Sequence, residues 1–169
     1  MQHLRLLDGV QGTNMEDRVK MYLDYKHELC AVSGIEDTNT KEGATHDVEY
    51  VAEALDAEWI AVKDWGKEIG FIILAFGRNL ERDISCPKVD YFIQDTYIKP
   101  EYRHKGIMSK EVNNLLDKYK GIFGLYILYN NKPAQAFWYK IIGDRWIDVE
   151  NLGSDEYGKE YAFDTRKES

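Results

Sequence analysis

A run rich in aromatic and β-branched side chains, VDYFIQDTYI at 89–98, stops at Lys99-Pro100, and from Gly106 onward the apolar period becomes helical. Proline cannot continue a strand ladder, so the run reads as a central strand that ends there. Met108, Val112, Leu115 and Tyr119 then recur at i, i+4, i+7 and i+11, one stripe of a helix closing near Gly121. Strand, tight loop and helix in such close succession constrain the fold more than any other feature of the chain. The order repeats at once: GLYILY at 124–129 is a short apolar strand, and Ala134, Phe137, Trp138 and Ile141 form a second helical stripe. Alternation of this kind predicts an α/β domain with a mixed sheet.

The first half is consistent with that. Residues 16–30 place Val19, Tyr22, Leu23 and Lys26 at helical spacing, with Asn14 available as N-cap. Segment 31–46 is polar and carries two glycines, which predicts a long surface loop, and a second helix follows over 47–55. Two apolar runs, 59–62 and 69–76, flank Asp64-Trp65-Gly66 as a hairpin. Strands over 145–149 and 157–164, turning at Gly153, close the chain. The expected order is strand, helix, helix, three strands, helix, strand, helix, two strands. With 169 residues, 44% of them hydrophobic, and no repeat or linker, one domain over 1–169 is expected.

Charge and cysteine usage exclude several classes. A formal net charge of -8 repels a phosphate backbone, so no nucleic-acid partner is expected. No apolar run reaches the roughly 18 residues of a membrane span, and the N-terminus lacks a secretory pattern, so a cytoplasmic protein without a membrane partner is expected. Cys30 and Cys86 sit in no CxxC or Cys/His spacing, and both read as ordinary thiols with no metal site.

The loop PEYRHKGIM puts Arg103, His104 and Lys105 ahead of Gly106 at the mouth of a helix. Unpaired backbone N–H groups at the positive end of the helix dipole, together with a glycine that lets an anion approach, fit a diphosphate, while the same residues read equally as a solvated basic turn capping a helix. This stretch resembles the GNAT superfamily of acyl-CoA-dependent N-acyltransferases, whose signature Q/R-x-x-G-x-G/A follows a strand and opens a helix. Arg103 and Gly106 match; His104 stands where many members have glycine, and Met108 stands at the final G/A position. Further on, NNKPAQAFWYKIIG is similar to the family's N-x-x-A, with Asn131 and Ala134 in place. The same asparagine also reads as an ordinary helix N-cap. The resemblance implies a mostly antiparallel sheet of about six to seven strands flanked by about four helices. It also implies acetyl-CoA as co-substrate, with contacts from Tyr97, Ile98, Arg103, His104, Lys105, Gly106, Ile107, Met108, Ser109 and Asn131.

What the resemblance implies chemically is direct attack of an amine on the thioester, with backbone N–H groups near the end of the 89–98 strand polarising the carbonyl. Members often carry a tyrosine acid on the last helix. Counting seven from Asn131 reaches Trp138, while counting four back from Gly143 reaches Tyr139, the residue able to donate a proton. Glutamate often precedes the strand's aspartate in related enzymes; Gln94 stands there, leaving Asp95 as base through a water or as a structural hydrogen-bonder. His27 and His46 lie on the acceptor side. Glu36, Asp37, Glu42, Asp47, Glu49, Glu53, Asp56 and Glu58 face one lysine, Lys41, an acidic region suited to a small cationic amine acceptor or to solvent. Trp59, Trp65, Tyr91 and Tyr97 are candidates for an acceptor cleft or for core. A non-catalytic acyl-CoA-binding or partner-binding module is the alternative, and a homodimer is compatible with either.

Overall fold

A computed structural model of the chain describes residues 15–54, 56–77 and 87–167. The strands are β1 Ala57–Asp64, β2 Lys67–Phe76, β3 Tyr91–Ile98, β4 Ile122–Leu128, β5 Trp146–Ile147 and β6 Gly158–Asp164. The helices are α1 Met15–Ser33, α2 Lys41–Glu53, α3 Ile107–Lys118 and α4 Lys132–Ile142. Among the described residues the strands form one sheet of order β1-β2-β3-β4-β6-β5, antiparallel everywhere except between β3 and β4. This is the α/β, mixed and mostly antiparallel architecture expected. The leading strand, the Asn14 cap, the end of the second helix at Leu55 and the Cys86 thiol lie outside the described residues.

Local chemistry explains most boundaries. The β1–β2 hairpin turns on Trp65 (φ 47) and Gly66 (φ 81), a two-residue turn whose left-handed backbone matches the strand twist. Helix α2 starts at Lys41, six residues earlier than the expected 47, because Thr40 caps it by accepting the Gly43 N–H at 3.1 Å. Ala44 and Val48, four residues apart, are its buried face. The predicted loop therefore shrinks to residues 34–40.

Two apolar layers sandwich the sheet. One holds Ile72, Leu74, Ile93, Phe123, Leu125 and Phe163 against Val112 and Leu116 of α3 and Trp138 and Ile142 of α4. The other holds Phe71, Ile73 and Tyr97 against Val19, Met21, Tyr22 and Tyr25 of α1 and Ala44 and Val48 of α2. Each fully buried Val, Leu, Ile or Phe here contributes about 1.5–3 kcal/mol relative to exposure.

Strand β3 changes face partway. Ile73 pairs with Asp95 and Leu74 with Ile93, so Gln94 is an extra residue, a β-bulge. Because side chains alternate with a period of two, the bulge inverts the pattern. Ile93 faces the α3/α4 layer, whereas Tyr97 faces the α1/α2 layer and Asp95 meets the α1 tyrosines there.

Candidate active site

The bulge coincides with a parting of the sheet. Strands β3 and β4 pair only through Tyr91–Phe123, Phe92–Gly124 and Ile93–Leu125. Beyond that point β3 stays with β2, and β4 stays with β6. Gly124 belongs to the closed end: a Cβ there would lie 2.7 Å from Cδ2 of Phe92. Past it the facing backbone edges are free of each other, and a cleft of about 470 Å³ opens between Ile93–Thr96 and Leu125–Leu128. Asn131, Ala134 and Trp138 of α4 wall it on one side, and α1 and the loop after it wall the other.

Asp95 lies in that wall. The Tyr25 hydroxyl donates to its Oδ1, and the Tyr22 hydroxyl donates a longer bond to Oδ2 at 3.5 Å. Burial holds its carboxyl above the usual aspartate range, opposed by the Tyr25 hydrogen bond, the Lys26 charge and the Tyr22 bond. The same burial, reinforced by Asp95, pushes both tyrosine hydroxyls up, so they stay protonated donors. A carboxylate shifted toward neutrality is suited to accepting a proton from an amine.

After β3 the chain makes a single 3-10 turn, Pro100–Tyr102, and reaches Gly106 in the left-handed region (φ 76) as N-cap of α3. Gly106 offers no side-chain cap, and the first ladder bond runs from the Lys110 N–H to the Gly106 carbonyl. The N–H groups of Ile107, Met108 and Ser109 therefore stand ahead of the ladder, at the positive end of the dipole. His104 also takes a positive φ (61), and its side chain and that of Lys105 are exposed. Ile107 and Met108 pack half-buried against the α3/α4 layer, so Met108 fills space between helix and sheet.

Arg103, expected among the co-substrate contacts, has its guanidinium engaged within the protein. Its Nε donates to the Ile98 carbonyl at 2.9 Å, and Nη2 bonds both Glu28 oxygens at 2.9 and 2.7 Å. The guanidinium also lies 5.5 Å from the Tyr97 ring centre. Tyr97 is buried in the α1/α2 layer and Ile98 packs on the opposite one, and neither side chain lines the cleft.

On α4, Asn131 caps the helix by accepting the Ala134 N–H at 3.1 Å while also lining the cleft. Trp138 is buried and faces the cleft. Tyr139, about 100° further round the helix, is 49% exposed, with its ring 5.5 Å from Trp146. Tyr139, the expected acid, therefore lies off the buried stripe of Trp138, Ile141 and Ile142 and does not line the cleft.

The acceptor side differs from the sequence pattern in other ways. Of the eight acidic residues grouped there, only Glu36 lines the cleft; Glu42, Glu49 and Glu53 are exposed on α2. Trp59 stacks on Phe71 and donates to Glu68 at 2.6 Å, Trp65 is fully exposed at the hairpin tip, and Tyr91 packs on Phe123. His27 pairs with Asp37 at 2.5 Å, and His46 is exposed beside Asp47. Sequence reasoning missed Tyr25, Lys26, Cys30 and Asn39 as cleft residues. For Tyr25 the available signal was its place on the inward stripe of α1, one turn from Tyr22.

The sheet thus parts beside a bulge, and an uncapped helix N-terminus follows eight residues beyond the parted strand. The chain belongs to the acetyltransferase (GNAT) family, whose model matches residues 24–143. A search of the curated proteins finds no match. Among solved structures, an acetyltransferase from Thermus thermophilus superposes with a TM-score of 0.63 at 14% identity, over 88% of this chain and 92% of that one. The spermidine N-acetyltransferase of Vibrio cholerae, in complex with CoA and spermine, gives 0.62 at 13% identity over 92% and 93%. The PaiA N-acetyltransferase of Thermoplasma acidophilum, in complex with coenzyme A, gives 0.58 at 18% over 90% and 95%. These are likenesses of fold. No described helix is long and apolar enough to cross a membrane.

Proposed function

We propose that this protein transfers the acetyl group of acetyl-CoA to the primary amine of a small cationic acceptor by direct attack. The observation that carries this is the parting of β3 from β4 at the bulged Gln94, which puts two free backbone edges and Asp95 around one cleft. The diphosphate sits on the N–H groups of residues 107–109, with His104 and Lys105 adding charge. Asn131 and the strand edges receive the extended arm of the co-substrate. The amine nitrogen forms its bond to the thioester carbon, and backbone N–H groups on the β3 edge stabilise the oxyanion. Asp95 takes the ammonium or amine proton, directly or through a water. Collapse breaks the C–S bond, and the thiolate takes its proton from solvent, which a thiol with a pKa near 8.5 tolerates as a leaving group.

Glu36 and Asp95 on the acceptor side support an amine that arrives as a cation, and the Vibrio cholerae relative is described as acting on spermidine. Thiol release from acetyl-CoA over a panel of polyamines, amino sugars and amino acids tests the proposal. Turnover fastest with polyamines is expected. CoA binding without turnover on any amine would identify a binding module instead.

A further inference from the structure

Helix α1 is anchored unevenly. Its buried residues, Val19, Met21, Tyr22 and Tyr25, all lie in the first eleven positions. Residues 26–33 contain no buried side chain, yet Lys26, Leu29, Cys30 and Ser33 line the cleft, so this half overhangs the acceptor side. Leu29 packs half-buried, and the other ties are polar. The Asp37 carboxylate meets His27 and the Asn39 amide meets the Cys30 sulfur, but both join the helix only to its own following loop. Glu28 reaches another element, the start of the phosphate loop, through Arg103.

Arg103 is itself rigidly seated. Its Nε donates to the last carbonyl of β3, its guanidinium lies over Tyr97, and Nη2 alone contacts both Glu28 oxygens. A charge-assisted contact between segments 75 residues apart, from a guanidinium whose Nε is anchored separately on the strand, ties the helix to the loop. We infer that Arg103 is a strut between cofactor loop and acceptor wall: paired with Glu28, it holds the overhanging half of α1 over the cleft, so that occupancy of the loop stiffens the wall that receives the amine. Arg103 and Glu28 are then positioning residues, and the two substrates bind with positive coupling, since a ligand that orders a shared element lowers the ordering cost for the next. The inference rests on the acyl-CoA site proposed above.

The test uses coenzyme A as probe, with calorimetry for affinity and hydrogen exchange at residues 29–33 for stiffness, in the wild-type chain, Glu28→Gln and Arg103→Gln. The wild type should show slowed exchange in 29–33 on CoA addition. Glu28→Gln should lose most of that protection, by up to about fivefold in exchange rate, the range for a part-exposed ion pair. Its CoA affinity should stay within about twofold of wild type, because the anion is held by other groups. Protection retained in Glu28→Gln with CoA still bound overturns the strut and leaves the acyl-CoA site standing. A tenfold affinity loss confined to Arg103→Gln, or a gain of affinity in Glu28→Gln, also overturns it, since Arg103 would then be a phosphate ligand. If the wild type binds no CoA, the acyl-CoA site fails, and the proposed coupling fails with it.

Discussion

Replacing Asp95 by Asn separates the two consequences of a carboxyl held in the cleft wall. Asparagine keeps the volume and an oxygen that can accept the Tyr25 hydroxyl, but it cannot take a proton. Loss of a positioned base should lower kcat/KM by about 10²- to 10⁴-fold. Stability should move the other way. Because burial raises the Asp95 pKa above its unfolded value, the native state holds the proton to higher pH than the unfolded chain does. The associated stability is fully present below the ordinary aspartate value of about 3.9 and is lost as pH rises through the native value. At pH 7 the wild type therefore carries the cost of a buried carboxylate that the variant lacks. Each kcal/mol of such a gain is about 2–4 °C in Tm for a chain of this size. Thermal unfolding from pH 4 to 8, paired with single-turnover acetyl transfer, measures both. The variant should melt higher at pH 7, with the gap closing toward pH 4. A variant with full kcat, or one that melts lower at pH 7, would refute the reasoning.

Three other sites of substitution address the loop, the closed end of the cleft and α4. Gly106→Ala places its Cβ in open space but holds an L-residue at φ 76, so it should cost about 1–2 kcal/mol in denaturant unfolding and weaken CoA binding in calorimetry. Gly124→Ala drives a Cβ to 2.7 Å from Phe92 and should cost about 1–3 kcal/mol, partly recovered when Phe92→Leu is added. Tyr139→Phe should leave kcat unchanged and alter stability by less than about 0.5 kcal/mol. Trp138→Ala should cost about 3–5 kcal/mol. A large kcat loss in the Phe variant would restore Tyr139 as the acid.

What the sequence made legible was local. The change of period between 98 and 106, the glycine at 106 and the Asn131 cap are each decided within a few residues, and the structure has them where the pattern put them. The start of α2 was obscured because Gly43 and a polar first turn resemble a loop, although Thr40 was a usable cap. The Gln94 bulge adds one residue to a strand without altering its composition, so nothing in VDYFIQDTYI reveals that Asp95 faces α1. Trp138 sits on the apolar stripe legible in the sequence and Tyr139 one position off it, and the packed position of α4 follows the stripe. The Glu28–Arg103 pair spans 75 residues and leaves no local signal.

The parted strands also bear on how this protein avoids sticking to itself. Unpaired strand edges on a surface are templates for pairing with another molecule, and proteins ordinarily blunt them with charges, bulges or prolines. Here the free edges of β3 and β4 face each other inside the fold, roofed by α1 on one side and α4 on the other. In that position they are set back from the rim of the sheet, where a second backbone would dock. The protein can therefore keep a row of hungry amide and carbonyl groups at its centre without the aggregation hazard such a row would bring at the rim.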